Sequence, residues 1–242
     1  MLGTTAFLPP QAEAIAPERA APRRAGSRER TRLALFETAW RAFAQRGLDG
    51  VNLKTHILEP AGVSVGSFYH QYRDKTDLLV AILDQHSASF RRMVEAARAA
   101  DTDTPSEVTA RHSFEVVLRV AEENEDLFHL LQRERQSTEP RVRAFLAQNH
   151  RLWVEALADG YRSRLPASLF QMLHDDTLVL AAELALATTV GGVMRYLDLD
   201  PTERKARRPE FLDALVLFSL GGIKALLESP GARPGGSKVS RP

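Results

Sequence analysis

The chain has 242 residues, 44% hydrophobic and 26% charged, with no cysteine and a net charge of +1. This is the composition of an ordinary globular protein. Without cysteine, disulfides and thiolate metal sites are excluded, and a reducing, cytoplasmic setting is expected. The near-zero charge excludes a polycationic binder, so any nucleic-acid footprint has to be local.

Residues 1–26 are rich in Pro, Ala and Arg without a period, which reads as a disordered basic arm. The opening "MLGTTAFLPPQAEA" lacks the basic start and continuous apolar core of a signal peptide. Between Arg19 and Arg32, six arginines (19, 23, 24, 28, 30 and 32) stand against the single acid Glu29. An arm of that kind can lie along a nucleic-acid backbone or enter the minor groove, with Arg28 and Arg30 as candidates, or it can simply be a solubilising tail. The first helix is expected from about Arg28 to Arg46, with Leu35, Phe36, Ala39, Trp40 and Phe43 on one stripe and Gly47 as a left-handed stop.

A short helix from Asn52 to about Pro60, the turn "AGVS" and a second short helix over 65–72 have the form of a helix-turn-helix. Gly62 permits the turn, Val63 packs between the helices, and the Ser64 hydroxyl caps the second on the amide of Ser67. Phe68 and Tyr72, four apart, point inward. Val65, Gly66, Ser67, Tyr69, His70 and Gln71 are left outward, a small and polar set able to meet base edges in a major groove. Tyr69 and His70 carry donors that reach phosphates, and Lys75 adds a charge beside free amides.

Asp74 is placed to cap a fourth helix running from Lys75 through Leu78, Leu79, Ile82 and Leu83 to about Ala100. Helical spacing then recurs at 105–123, 126–135, 139–164, 168–197 and 209–228. The fold class is all-α: an N-terminal three-helix domain with the helix-turn-helix, then a helical bundle. Its divisions are an arm over 1–26, a helix-turn-helix domain over 27–74, a helical bundle over 75–229 and a flexible tail over 230–242; the family resemblance given below implies DNA binding for the second and ligand binding and dimerisation for the third. The apolar run from Leu178 to Met194 contains Glu183 and a Gly-Gly pair, so it reads as a buried helix and not a membrane span.

Enzymatic readings fail on constellations. No Gly-rich phosphate loop, nucleophile elbow or cysteine is present, and the histidines (56, 70, 86, 112, 129, 150, 174) form no pair at metal spacing. No catalytic residue, metal or cofactor is therefore expected.

The stretches "LFETAWRAFAQRGLDG" and "AGVSVGSFYHQYRDKTDLL" within Thr31 to Leu83 resemble the DNA-binding domain of the TetR family of bacterial repressors. The resemblance implies that Val65, Gly66, Ser67, Tyr69, His70 and Gln71 face an operator while Lys75 holds its backbone. One departure is visible: Leu53 and Ile57 are four apart where the family places two apolar residues three apart, and Pro60 follows. That helix either ends early or carries an extra residue, which leaves Lys54, Thr55 and His56 undecided as contacts.

A second segment, "NEDLFHLLQRERQSTEPRVRAFL" from Asn124 to Leu146, is similar in its F-x-L-L-x-R-E-R core to the FabR/DesT group of TetR repressors. That likeness implies control of fatty-acid genes and a long-chain acyl-CoA as effector. Met93, Phe114, Leu118, Phe128, Leu131 and Trp153 are the candidate lining, and Arg133 the phosphate contact, with Glu134 or Glu139 as its competing surface partners. A sensor of another lipophilic compound, such as a drug, and a ligand-free DNA-binding dimer are the alternatives. The implied partners are a double-stranded DNA operator and a second copy of the chain, since one motif reads one half-site. The apolar stretches 178–197 and 211–227 are the candidate homodimer interface.

Overall fold

The computed structural model describes residues 22–98, 106–163 and 175–228. Most of the expected arm and the whole C-terminal tail lie outside the described residues. The elements are α1 (Pro22–Gly50), a π-helical segment (Leu53–Leu58) continuing into α2 (Glu59–Ala61), α3 (Val65–Tyr69), α4 (Lys75–Arg98), α5 (Ser106–Glu123), α6 (Glu125–Glu134), α7 (Pro140–Arg162), α8 (Asp175–Leu197) and α9 (Pro201–Glu228). No strand occurs among them, so the all-α fold class stands.

Two elements begin earlier than their sequence signals. α1 already starts at Pro22, inside the expected arm. Proline is compatible with a first helical position, and the Arg-Arg-Ala that follows favours a helix. α9 starts at Pro201 and carries Pro209 inside it. The Asp200 carboxylate accepts from the amides of Thr202 (2.9 Å) and Glu203 (3.1 Å), which nucleates the helix upstream of the second proline.

The departure noted at Leu53 and Ile57 has a structural cause. Pro60 has no amide to offer the carbonyl of His56, and the Glu59 amide donates to Lys54, five residues back. This wider turn inserts the extra residue. It puts both Ile57 and Leu58 in the core, with Leu53 packed partly against it.

The chain divides into two compact units. The first takes the described residues up to Ser89 together with Asn124–Leu146. Leu35, Ala39, Phe43, Ile57, Leu58, Val63 and Phe68 meet Leu78, Leu79, Ile82 and Leu83 of α4 and Leu127, Leu130 and Val142 of α6 and α7 in one core. This unit is larger than the expected 27–74, because the floor of the helix-turn-helix is built from α4 and α6. α6 packs directly on α1.

The second unit takes Phe90–Glu123 and the described residues from Ala147 on. α9 packs on α8 and on α5. Val154, Leu157 and Ala158 of α7 meet Ala182 of α8, with Leu186 partly buried beside them. Tyr196 is fully buried, its hydroxyl donating to Glu122, which also pairs with Arg208 (3.4 Å). Over Asp176–Leu197, α8 is long and apolar enough to cross a membrane, at a mean hydropathy of 1.7. One side of it is buried through Leu178, Ala181, Ala182 and Val193. Its other side exposes Leu180 and Leu184, and α9 exposes Leu217 and Phe218, the last at 74%.

Candidate nucleic-acid interface

The turn between the two short helices is closed by backbone geometry. Gly62 is left-handed (φ 63°, ψ 29°), a region that costs other residues about 1–2 kcal/mol. The Val63 amide returns to the Leu58 carbonyl at 3.0 Å. The Ser64 Oγ accepts from the Ser67 amide at 3.1 Å and donates to the Ser67 hydroxyl at 2.8 Å, so the expected cap is formed.

α3 is shorter than 65–72: it spans Val65–Tyr69, with His70 as its C-terminal cap. Phe68 is its anchor, wholly buried, with the rings of Tyr69 and Tyr72 at 5.2 and 5.7 Å. Around it Val65, Gly66, Ser67, Tyr69, His70 and Gln71 are all exposed, Tyr69 at 56%. A side-chain Cβ at Gly66 would meet no atom within 4 Å, and Gly66 has no positive φ. Nothing in the chain's own packing therefore calls for glycine there.

The first short helix is capped by Asn52, whose Oδ1 accepts from the amides of Lys54 (3.0 Å) and Thr55 (3.1 Å). His56 answers by accepting the Asn52 amide on Nδ1 at 2.9 Å. Lys54 and Thr55 are exposed and His56 half-buried. Arg30 is exposed on α1; the Arg28 side chain lies outside the described residues.

Lys75, expected on a DNA backbone, makes bonds within the protein. Its ammonium donates to the carbonyls of Leu48 (2.8 Å) and Val51 (2.7 Å) and so closes the end of α1. Two of its three donors are spent inside the protein. Beside it, Asp74 caps α4 on the Asp77 amide at 2.9 Å, as its position implied.

Asp74 also receives a two-pronged contact from Arg141, at 3.1 and 2.9 Å, while the Arg141 Nε donates to Glu139 at 3.1 Å. Sequence reasoning missed this pair, for 67 residues separate its partners and no local pattern joins them. The Arg141 bond, followed by the Asp77 amide, holds the Asp74 carboxyl below its usual range against the opposing effect of burial.

The candidate effector residues are divided between the two units. Phe128 and Leu131 are packed against the core of the first unit. Arg133 reaches the Ala44 carbonyl (3.4 Å), and Glu134 is not a surface partner but a buried acceptor for the Leu48 amide (3.0 Å). Met93, Phe114, Leu118 and Trp153 belong to the second unit, where Leu118 is fully buried and Trp153 lies 5.1 Å from the Phe90 ring. Among the described residues no group of His, Asp or Glu is arranged to hold a metal ion.

Residues 35–82 match the family described as bacterial regulatory proteins, tetR family. Several solved structures share the fold. GusR of Salmonella enterica superposes with a TM-score of 0.62 at 21% identity, covering 80% of this chain and 95% of that one. A TetR-family transcriptional regulator from Streptomyces coelicolor gives 0.61 at 17%, covering 87% and 98%. The fatty acid degradation regulator FadR from Bacillus halodurans gives 0.58 at 14%, covering 89% and 100%. At these identities the likeness establishes the fold.

The Asp74–Arg141 pair yields a pH prediction. A carboxylate whose folded value is depressed stabilises above its unfolded value, about 3.9 for aspartate, and loses that contribution as pH falls through the folded value. In a cycle of Asp74→Asn, Arg141→Gln and the double variant, melting temperatures at pH 7 should be non-additive. The non-additivity should vanish at strongly acid pH. Additive shifts at pH 7 would mean the two groups are not coupled.

Proposed function

We propose that this chain, a DNA-binding regulator of the TetR type over residues 35–82, works as a homodimeric repressor on a near-palindromic operator. The observation that carries the reading is the exposed face of α3 around buried Phe68, and Gly66 above all. A glycine that the protein's own packing does not need is explained by a partner that approaches the backbone closely. Val65, Ser67, Tyr69, His70 and Gln71 surround it with small or hydrogen-bonding groups suited to base edges and phosphates.

The dimer surface we infer is the apolar face of α8 and α9: Leu180, Leu184, Leu217 and Phe218. Large apolar side chains left exposed on two helices that pack together favour burial against a second copy. Leu186, on the same helix as Leu180 and Leu184, is partly buried against Val154, Leu157, Ala158 and Ala182.

For the effector we infer a lipophilic molecule, specifically a long-chain acyl thioester. Two supports favour it: the F-x-L-L-x-R-E-R resemblance, and a fold shared with a fatty acid degradation regulator. Of its candidate contacts, Met93, Phe114, Leu118 and Trp153 lie in the second unit. Met93 lies on α4, the helix that also starts at Lys75 beside the DNA-facing motif. A ligand that favours one tilt of this helix shifts operator affinity by no more than its difference in affinity between tilts.

A fluorescence-anisotropy titration on an operator selected from random DNA tests these readings together. Gly66→Ala should keep or raise the melting temperature, since alanine is the better helix former by about 1 kcal/mol, yet weaken operator binding. Tyr69→Ala should weaken it too, and log K should fall linearly with log salt. Unchanged binding in both variants would remove α3 from the interface. Long-chain acyl-CoA should shift the wild-type affinity several-fold, free CoA and short-chain acyl-CoA not at all. A response without chain-length dependence would leave a sensor of some other lipophilic compound.

Sedimentation tests the dimer. Leu184→Arg and Leu217→Arg each place a charge where the interface would bury it unpaired, so both should sediment as monomers. Two stable dimers would move the interface elsewhere.

A further inference from the structure

The main chain of Leu48 is held on both sides, its amide by a carboxylate and its carbonyl by an ammonium. Its amide donates to the buried Glu134 carboxylate of α6 at 3.0 Å, and its carbonyl accepts from the Lys75 ammonium of α4 at 2.8 Å. We propose that Glu134 is a positioning residue for operator binding: with Lys75 opposite, it fixes the angle at which the helix-turn-helix leaves α1. The proposal rests on the operator-binding reading above.

Three observations carry it. Glu134 is only 5% exposed and falls on the apolar stripe of α6 formed by Leu127 and Leu130. A carboxylate costs free energy at such a position unless it is bound, and an apolar side chain would fill the core as well. Its placement is thus explained by what it holds. Second, Gly47 precedes Leu48 with φ 66° and ψ 179°, a region essentially confined to glycine. A Cβ there would lie 3.1 Å from the Arg133 Cδ and 3.3 Å from the Glu134 Oε1, so the end of α6 sits directly on this corner. Third, the Arg133 guanidinium bonds the Ala44 carbonyl (3.4 Å) and the Lys75 ammonium the Val51 carbonyl (2.7 Å). Fixed points therefore bracket the whole corner, and Asn52, which caps the first helix of the motif, follows at once.

An angle set here acts as a lever on α3. Reading two half-sites requires the paired recognition helices to match a spacing of about 34–36 Å, whereas random DNA imposes no such register. Loss of the Glu134 grip should therefore lower specificity more than general affinity.

The test compares selected operator with random-sequence duplex for full-length wild type, Glu134→Ala, Glu134→Gln and Lys75→Met. Folding is checked by circular dichroism. Glu134→Ala should lose about tenfold or more on the operator and little on random DNA, shrinking the specificity ratio. Glu134→Gln keeps an acceptor for the Leu48 amide and should regain most of the loss. Lys75→Met, which leaves α6 intact and serves even where Glu134→Ala does not fold, should also lose specificity at an unchanged salt slope. A folded Glu134→Ala with wild-type affinity on the operator, or with equal losses on both DNAs, would overturn the proposal. So would a uniform loss in Lys75→Met with the salt slope reduced by about one, the mark of a phosphate contact. Wild type that selects no DNA sequence would instead defeat the operator reading, and this inference with it.

Discussion

The first unit depends on a change of direction that only one residue type can make. At Gly47, inside the span of α1, a positive-φ, extended conformation kinks the helix, and the main chain of Leu48 that follows is bonded by Glu134 at its amide and by Lys75 at its carbonyl. Helices α4 and α6 are thereby joined to the end of α1 through its main chain as well as through the shared core of Leu78, Leu79, Ile82, Leu127 and Leu130. Everything that faces outward on α3 is carried by this corner and by the buried Phe68.

Much of that was legible in the residues. Gly62, Val63, Ser64 and Asp74 occupy the turn, the core and the two caps that their types implied, because each acts over three or four residues. Gly47 was legible as a positive-φ stop but not in its extended ψ. The long-range polar contacts were not legible. Lys75 looked like a free charge at a helix start, and nothing in its neighbourhood discloses that α1 ends within its reach. Arg133 and Glu134 looked like surface charges, although one local signal existed. Glu134 shares the stripe of Leu127 and Leu130, seven and four residues before it, and a carboxylate on such a stripe asks for a partner. The irregular spacing of Leu53 and Ile57 is legible in the residues, and the π-helical turn before Pro60 accommodates it.

The second unit was less legible for a different reason. Its helices advertise apolar residues, but apolarity does not say which residues serve the core, a ligand or another copy. The structure separates part of this. Tyr196, Leu178 and Ala182 are interior, while Leu180, Leu184, Leu217 and Phe218 remain on the surface. An effector site leaves no such mark, since Phe114 and Leu118 are buried whether or not a ligand ever lies against them.

On the proposed function, the outward face of α3 reads DNA in pairs. Selection of bound duplexes from a random library by the full-length protein tests it most directly. Enrichment of one near-palindromic sequence, its half-site centres separated by about one helical turn or a whole multiple of it, is expected. Enrichment of a lone, asymmetric half-site, or of no sequence at all, would contradict it.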